Sequence, residues 1–176
     1  MSTAALHILI VPAGVEREVA ASLAPGLQSA FGHPCSLSER ALDARGALDA
    51  YRRQHRSTVL LEMLETNFTD WRVLGVAAVD LFVPVLTFVF GEAQVGGRCA
   101  VISTHRLREE AYGLPSHPAL LSERLLKEAV HELGHTFGLR HCDDWTCAMH
   151  SSHAVEAIDL KTARLCEQCR MRLGRQ

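Results

Sequence analysis

The sequence carries no strong charge of either sign. Its 176 residues include 18 lysines and arginines against 20 aspartates and glutamates, so the formal net charge is -2. Proteins that bind nucleic acid usually present a basic surface to the phosphates, and this composition argues against such a partner. Apolar residues make up 48% of the chain, which is typical of a globular protein. The length suits one domain.

Long uninterrupted apolar runs are also absent. The longest apolar stretch, residues 73–90, contains Asp80 and Pro84 and therefore does not suit a membrane-spanning helix. Residues 1–5 lack the basic segment that opens a secretory signal peptide. We therefore expect a cytoplasmic protein with no membrane partner. In a reducing compartment, the six cysteines are metal ligands or free thiols more often than disulfides.

Apolar periodicity predicts the order strand, helix, strand, helix, several strands, long helix and irregular tail. This order favours an α+β fold, in which helices pack on a mixed, twisted sheet. Pro25 should break the first helix, and Ser57 is a candidate N-cap of the second. The predicted strands are residues 5–11, 35–37, 72–79, 85–90 and 98–103, and the long helix runs from Ser122 to Gly138.

Residues 131–141 read HELGHTFGLRH, which has the spacing of a metal site. Residues four apart are neighbours on one face of a helix, so His131 and His135 can bind one ion. Glu132 follows the first of these histidines directly. Gly138 allows a sharp left-handed turn at the helix end, which would bring His141 round as the third ligand.

Three neutral protein ligands leave the fourth coordination position of a zinc ion open. Catalytic zinc sites have this open position, whereas structural sites do not. Zinc lowers the pKa of a bound water to about 7 and polarises a carbonyl oxygen. Glu132 would then be the general base that takes the proton of this water and passes it to the leaving amine.

A second set of metal-ligating residues follows at once. Two cysteine pairs at short spacing can each form half of a tetrahedral zinc site, and a metal would stabilise a tail with little apolar surface. Two disulfides or free thiols are the alternatives. Cys35 and Cys99 lie in strand-like stretches and are expected to be core thiols. The predicted structural zinc ligands are Cys142, Cys147, Cys166 and Cys169.

The histidine motif, the cysteine directly after it, the C-x-M at Cys147 and Met149, and the later C-x-x-C resemble the archaemetzincins, a branch of the metzincin metallopeptidases. The resemblance implies a metzincin-like fold with two zinc ions per chain, one catalytic and one structural. It also implies that Met149 is the Met-turn methionine. Residues 1–138 would form an upper subdomain containing the sheet and the active-site helix, and residues 139–176 a lower subdomain stapled by the structural zinc.

In metzincins an edge strand pairs with the extended substrate, and here we expect this strand at residues 87–92 or just after them. Glu92, Gln94 and Tyr112 are weaker candidates for the cleft, because solvated or structural roles are as common for such residues. His150, after the Met-turn methionine, is expected at the surface.

Two functional hypotheses follow. The first is a zinc-dependent metallopeptidase, expected to be a monomer, that cleaves peptides or small proteins. The second is a zinc-binding peptide-recognition or regulatory module without hydrolytic activity. A peptide-library digest with the zinc-loaded protein separates the two, and Glu132→Gln tests the general base that the first hypothesis requires.

Overall fold

A computed structural model of the chain describes residues 6–174. Its main sheet has five strands, of which four are parallel and the fifth is an antiparallel edge strand. Along the sheet, the order is β2 (Cys35–Leu37), β1 (Ile8–Ala13), β5 (Arg72–Ala77), β8 (Cys99–Ser103) and β7 (Gly91–Ala93). The mixed sheet with helices on it confirms the predicted α+β class. Ala5, the first residue of the predicted opening strand, lies outside the described residues.

Helices cover both faces of this sheet, and a smaller sheet lies beside it. One face packs against the long helix and the second helix, and the other face packs against the third helix. The helices are α1 (Arg17–Ala21), α2 (Ala24–Phe31), α3 (Ser57–Asn67), α4 (Pro118–Thr136), α5 (Val155–Leu160) and α6 (Glu167–Leu173). The smaller sheet has the order β3 (Leu48–Asp49), β4 (Gln54–Arg56) and β6 (Leu81–Phe82).

The long helix α4 begins one turn before the predicted Ser122. The His117 ring accepts a hydrogen bond from the Leu120 N–H, and Pro118 occupies the first turn, where its missing N–H costs nothing. The helix ends as predicted, because Gly138 adopts φ 73° and lets the chain turn away. Leu125, Ala129, Val130 and Leu133 form the buried stripe against the sheet.

Three local predictions are wrong in detail. The break between α1 and α2 falls before Pro25, which sits in the first turn of α2, where proline is tolerated. Ser57 does not cap α3, because its hydroxyl instead donates to Phe82 O and to Glu92. Residues 85–90 form no regular strand, since Pro84 and a turn closed by Leu86 N–H and Val83 O keep this segment irregular. The edge strand lies just after it, at β7.

An ion pair with a buried guanidinium joins α4 to the C-terminal part of the chain. The Arg124 guanidinium donates to both carboxylate oxygens of Asp159 at 2.7 Å, and it also contacts Glu109 at 2.6 Å and Leu107 O at 2.9 Å. Only 4% of the Arg124 side chain is exposed. Within residues 6–174, no helix is both long enough and apolar enough to cross a membrane.

Replacing Arg124 with methionine should lower the free energy of unfolding by about 2–3 kcal/mol, because the substitution leaves Asp159 and Glu109 without their partner. Urea denaturation followed by circular dichroism measures the change. The matched control is Arg45→Met, which breaks the exposed pair with Asp43 and should leave the unfolding midpoint unchanged. Equal midpoints for both variants would show that the Arg124 cluster does not stabilise the fold.

Candidate active site

Three histidine rings meet at the C-terminal end of α4. The helix brings His131 and His135 to one face, with their Nε2 atoms 3.2 Å apart. The left-handed turn at Gly138 returns the chain, so that the His141 ring lies 5.3 Å from the His131 ring and 5.0 Å from the His135 ring, centroid to centroid. One ligand atom from each ring lies within 4.8 Å of the other two.

Backbone carbonyls fix the orientation of the two helical rings. His131 Nδ1 lies 2.8 Å from Ala148 O, and His135 Nδ1 lies 2.8 Å from Leu139 O. A carbonyl only accepts, so each Nδ1 carries the proton and each Nε2 presents a lone pair. Two lone pairs at this separation repel unless a cation lies between them. A tetrahedral zinc with bonds of about 2.0–2.1 Å would hold its nitrogens about 3.3 Å apart, so the residues fit the ion.

Burial also favours the neutral, metal-binding form of these rings. It lowers the pKa of His131 well below the usual range, and it lowers the pKa values of His135 and His141 as well. The Lys161 ammonium acts in the same direction on all three rings. The cluster is therefore uncharged at neutral pH and ready to coordinate a cation.

Glu132 is buried beside the first histidine. Burial raises the pKa of its carboxyl well above the usual range; the Glu128 carboxylate adds to this rise and Lys161 opposes it. A carboxyl group with a raised pKa in a cleft is suited to proton transfer near neutral pH. Glu132 lines the same cleft as His131 and His141.

Gly91, in the edge strand, belongs to the site although the sequence analysis did not single it out. A Cβ at this position would lie 2.7 Å from Glu132 Cγ and 2.7 Å from Val101 O. Glycine therefore leaves the room that the Glu132 side chain occupies. A glycine inside a strand pattern often marks such a close approach, and this was the available signal.

Met149 packs beneath the histidine pair. It is completely buried, and a Cβ on Gly134 of α4 would collide with its sulfur. Its carbonyl accepts a hydrogen bond from the Cys142 N–H at 3.0 Å, and the preceding carbonyl, of Ala148, is the one that orients His131. The loop around Met149 thus supports the histidine cluster from below.

The four C-terminal cysteines form a second cluster. Cys142 Sγ lies 3.7 Å from Cys166 Sγ, and Cys147 Sγ lies 3.8 Å from Cys169 Sγ. A tetrahedral zinc with metal–sulfur bonds of about 2.3 Å has sulfur–sulfur edges of about 3.8 Å, so these residues also fit the ion. All four sulfurs lie within 4.8 Å of one another, and none is in a disulfide.

Cys35 and Cys99 lie in strands of the sheet, as predicted. Burial raises the pKa of each thiol to about 11, so both stay protonated and unreactive at neutral pH.

The weaker candidates lie outside the histidine cluster. The Glu92 carboxylate accepts hydrogen bonds from Ser57 and Thr58 of α3, on the opposite face of the sheet. Gln94 bridges Cys99 N–H and Glu65, and the Tyr112 hydroxyl donates to Arg106 O. These side chains have structural roles.

His150 was expected at the surface but is half-buried. Its Nδ1 lies 2.9 Å from Cys142 O, and its own carbonyl accepts a hydrogen bond from Lys161. The residue therefore connects the start of the cysteine cluster to the buried lysine.

A cleft of about 340 Å³ opens beside the histidines, lined on one side by residues 86–91 and on the other by α4 and residues 151–153. A larger cavity, of about 890 Å³, is lined by residues at the ends of β5 and β8 and by none of the histidine cluster. Its carboxylate, Asp80, is already neutralised by Arg106. The smaller cleft, beside the histidine cluster, is therefore the candidate active-site cleft.

Several known proteins are similar to this chain in both sequence and fold. The model of peptidase family M54 matches residues 30–175. The archaemetzincin of Methanocaldococcus jannaschii is 40% identical over 96% of this chain and 93% of its own length. The crystal structure of archaemetzincin from Archaeoglobus fulgidus is 35% identical, covers 94% of this chain and 99% of its own, and has a TM-score of 0.83. The crystal structure of archaemetzincin from Methanopyrus kandleri is 30% identical, covers 99% of this chain and 97% of its own, and has a TM-score of 0.87.

The fold, the histidine cluster and these relatives together define a zinc metallopeptidase, an enzyme that hydrolyses peptide bonds. The chain belongs to peptidase family M54, the archaemetzincins. This confirms the family predicted from the motif, and peptides are accordingly its substrates.

Replacing Gly91 with alanine should lower kcat/KM by about tenfold or more, because the new methyl group displaces Glu132 and small misplacements of reacting groups are costly. Hydrolysis of a peptide library by the zinc-loaded protein measures the loss. Gly46→Ala is the matched control, since its methyl group would meet Met63 at an ordinary 3.5 Å. Full activity of the Gly91 variant would contradict the close fit between the edge strand and Glu132.

Proposed function

We propose that peptide hydrolysis takes place at His131, His135 and His141, with Glu132 as the general base. The observation that carries this proposal is the convergence of the two Nε2 lone pairs, 3.2 Å apart, directly beside a buried carboxyl group. The three histidines would hold the catalytic zinc. When bound, zinc supplies Lewis-acid chemistry, which polarises the substrate carbonyl and makes water more acidic.

Glu132 would then transfer the proton from the water to the leaving amine. Its carboxylate lies in the cleft beside the histidines, where it would accept the proton of the attacking water as the oxygen bonds to the substrate carbon. The protonated carboxyl group returns this proton to the amine as the carbon–nitrogen bond breaks. Burial of Glu132 against Gly91 keeps the side chain in one orientation through both transfers.

The edge strand β7 would bind the substrate backbone. It pairs with β8 on one side and forms the edge of the sheet on the other, next to the cleft. An extended peptide can add to such an edge through main-chain hydrogen bonds, which are independent of its sequence. This arrangement would lay the scissile carbonyl across the histidine cluster.

The second zinc is proposed at Cys142, Cys147, Cys166 and Cys169, giving two ions per chain. The sulfur–sulfur separations of 3.7 and 3.8 Å support it. In this arrangement residues 1–138 form the upper subdomain and residues 139–176 the lower one, with Met149 as the Met-turn methionine. The structural zinc would anchor the lower subdomain through Cys142, the neighbour of His141.

The proposed setting is the cytoplasm, where thiolate ligands stay reduced. The enzyme would work there as a monomer on peptides or small proteins. The net charge of -2 supports the further expectation that nucleic acid is not a partner.

Glu132→Gln should keep both zinc ions but lower kcat by a factor of about 100 or more, because an amide cannot take up the proton. Activity on a peptide library and metal analysis of the same sample give the two readouts. Glu62→Gln, an exposed change on α3, is the control and should keep full activity. Undiminished turnover by the Glu132 variant would rule out this general base.

Cys169→Ser should lower the zinc content from two ions per chain to about one and reduce thermal stability, because the second cluster loses a ligand. Elemental analysis after gel filtration counts the ions. Cys35→Ser, in β2 and outside both clusters, should retain two. A Cys169 variant with two tightly bound zinc ions would refute the structural site.

A further inference from the structure

The larger cavity, of about 890 Å³, adjoins the active-site cleft. The irregular segment 86–90 forms one wall of the cleft, and Thr87 in this segment lines both spaces. The rest of the cavity is formed by residues 52–55, by residues 78–80, which follow β5, and by residues 105–106, which follow β8. Ligands commonly bind where the parallel strands of a sheet end. A substrate that leaves the cleft past Thr87 would enter this cavity.

The charges that line the cavity are predominantly positive. Three arginines, Arg52, Arg53 and Arg106, line it together with a single carboxylate, that of Asp80. Arg106 and Asp80 form an ion pair at 2.6 Å, so these two charges compensate each other. None of the ion pairs within residues 6–174 includes Arg52 or Arg53. Two positive charges therefore remain without a counter-ion, and the cavity favours an anionic ligand.

Neutral groups hold Arg52 in place. Its Nη2 donates to the carbonyls of Leu86 at 2.9 Å and Thr87 at 3.1 Å, and its Nε donates to Gln54 Oε1 at 3.0 Å. The guanidinium also lies over the Phe82 ring, 4.1 Å from the ring centroid. These contacts fix the position of the group without neutralising its charge. An anion that binds here would thus meet a cation that is already oriented, which lowers the entropic cost of binding.

Arg53 occupies a turn position that other residue types would fill more easily. Its φ is 57°, and within residues 6–174 it is the one non-glycine residue with a positive φ. Glycine and asparagine adopt this left-handed conformation at a lower cost than arginine. The Arg53 N–H donates to Asp49 O at 2.8 Å, a backbone contact that does not depend on the side chain. What arginine adds at this position is an exposed positive charge in the wall of the cavity.

We propose that this cavity is a subsite for an acidic residue of the peptide substrate, with Arg52 and Arg53 as the groups that bind its carboxylate. Guanidinium groups suit this role because their planar N–H donors match the two oxygens of a carboxylate. The acidic residue would lie beyond the wall segment 86–90 and so at a distance from the scissile bond. The inference rests on the proposed function, because it assumes that the substrate lies along the active-site cleft. It concerns the choice of substrate and not the catalytic step.

Two series of peptide hydroxamates test the subsite without turnover. In one series the peptide extends from the hydroxamate toward its N-terminus, and in the other toward its C-terminus, so that both directions along the cleft are covered. Glutamate, glutamine or lysine is placed at successive residues away from the hydroxamate. Calorimetry then measures the affinity of each compound for the zinc-loaded protein.

In one series, at one position or at two neighbouring positions, the glutamate compound should bind about fivefold more tightly than the glutamine compound, which is the upper range for a partly exposed ion pair. The lysine compound should bind more weakly than the glutamine compound there, because it meets like charges. Equal affinities of the glutamate and glutamine compounds at every position of both series would overturn the proposal, and so would no binding of any compound.

Variants of Arg53 assign the preference to the cavity. Arg53→Gln should reduce the glutamate preference to about twofold or less, and Arg53→Glu should reverse it in favour of the lysine compound. Arg45→Glu is the matched control, because it makes the same change of charge at an exposed residue outside the cavity and should keep the preference. A glutamate preference that survives both Arg53 changes, or that disappears in the Arg45 variant, would overturn the assignment. Binding requires no hydrolysis, so this failure differs from a failure of Glu132 to act as base.

Discussion

The hydrogen bonds that orient His131 and His135 are the constraint on which the site depends. Each Nδ1–H points at a backbone carbonyl, so each Nε2 must point at the other across 3.2 Å. One of these carbonyls, Ala148 O, lies in the loop that carries Met149, and the other, Leu139 O, follows the turn at Gly138. The histidine cluster is thus held by the helix and by the chain that returns beneath it, and neither segment could build it alone.

The same returning chain links the histidine cluster to the cysteine cluster. Cys142 directly follows His141, its N–H donates to Met149 O, and its carbonyl faces the His150 ring. A metal bound by the cysteines would restrain the position from which His141 is presented. Two ion pairs, Arg124 with Asp159 and Lys161 with Glu128, also hold α4 to this region. Removing the carboxylate of either pair would leave a buried cation uncompensated.

Local sequence patterns were sufficient to predict which histidines and cysteines come together. The four-residue spacing of His131 and His135, the glycine at 138 and the paired cysteines have their consequences within one helix, one turn or one short loop, and the structure assembles both clusters. Predictions that depended on distant contacts fared worse. Ser57 has the residue type of an N-cap, but its hydroxyl bonds Phe82 O, which lies 25 residues away. Residues 85–90 have strand composition, but the edge strand forms after them, where pairing with β8 is available.

The sequence by itself determined the family and the α+β class and predicted which residues cluster, because these depend on residue type, short spacing and periodicity. Only the tertiary structure decided which other groups share the site. Gly91 approaches Glu132 because β7 is laid against α4, and Lys161 pairs with Glu128 because the C-terminal part of the chain packs on the same helix. Those contacts follow from packing between elements, and no local pattern in the chain encodes the distance between two side chains from different elements.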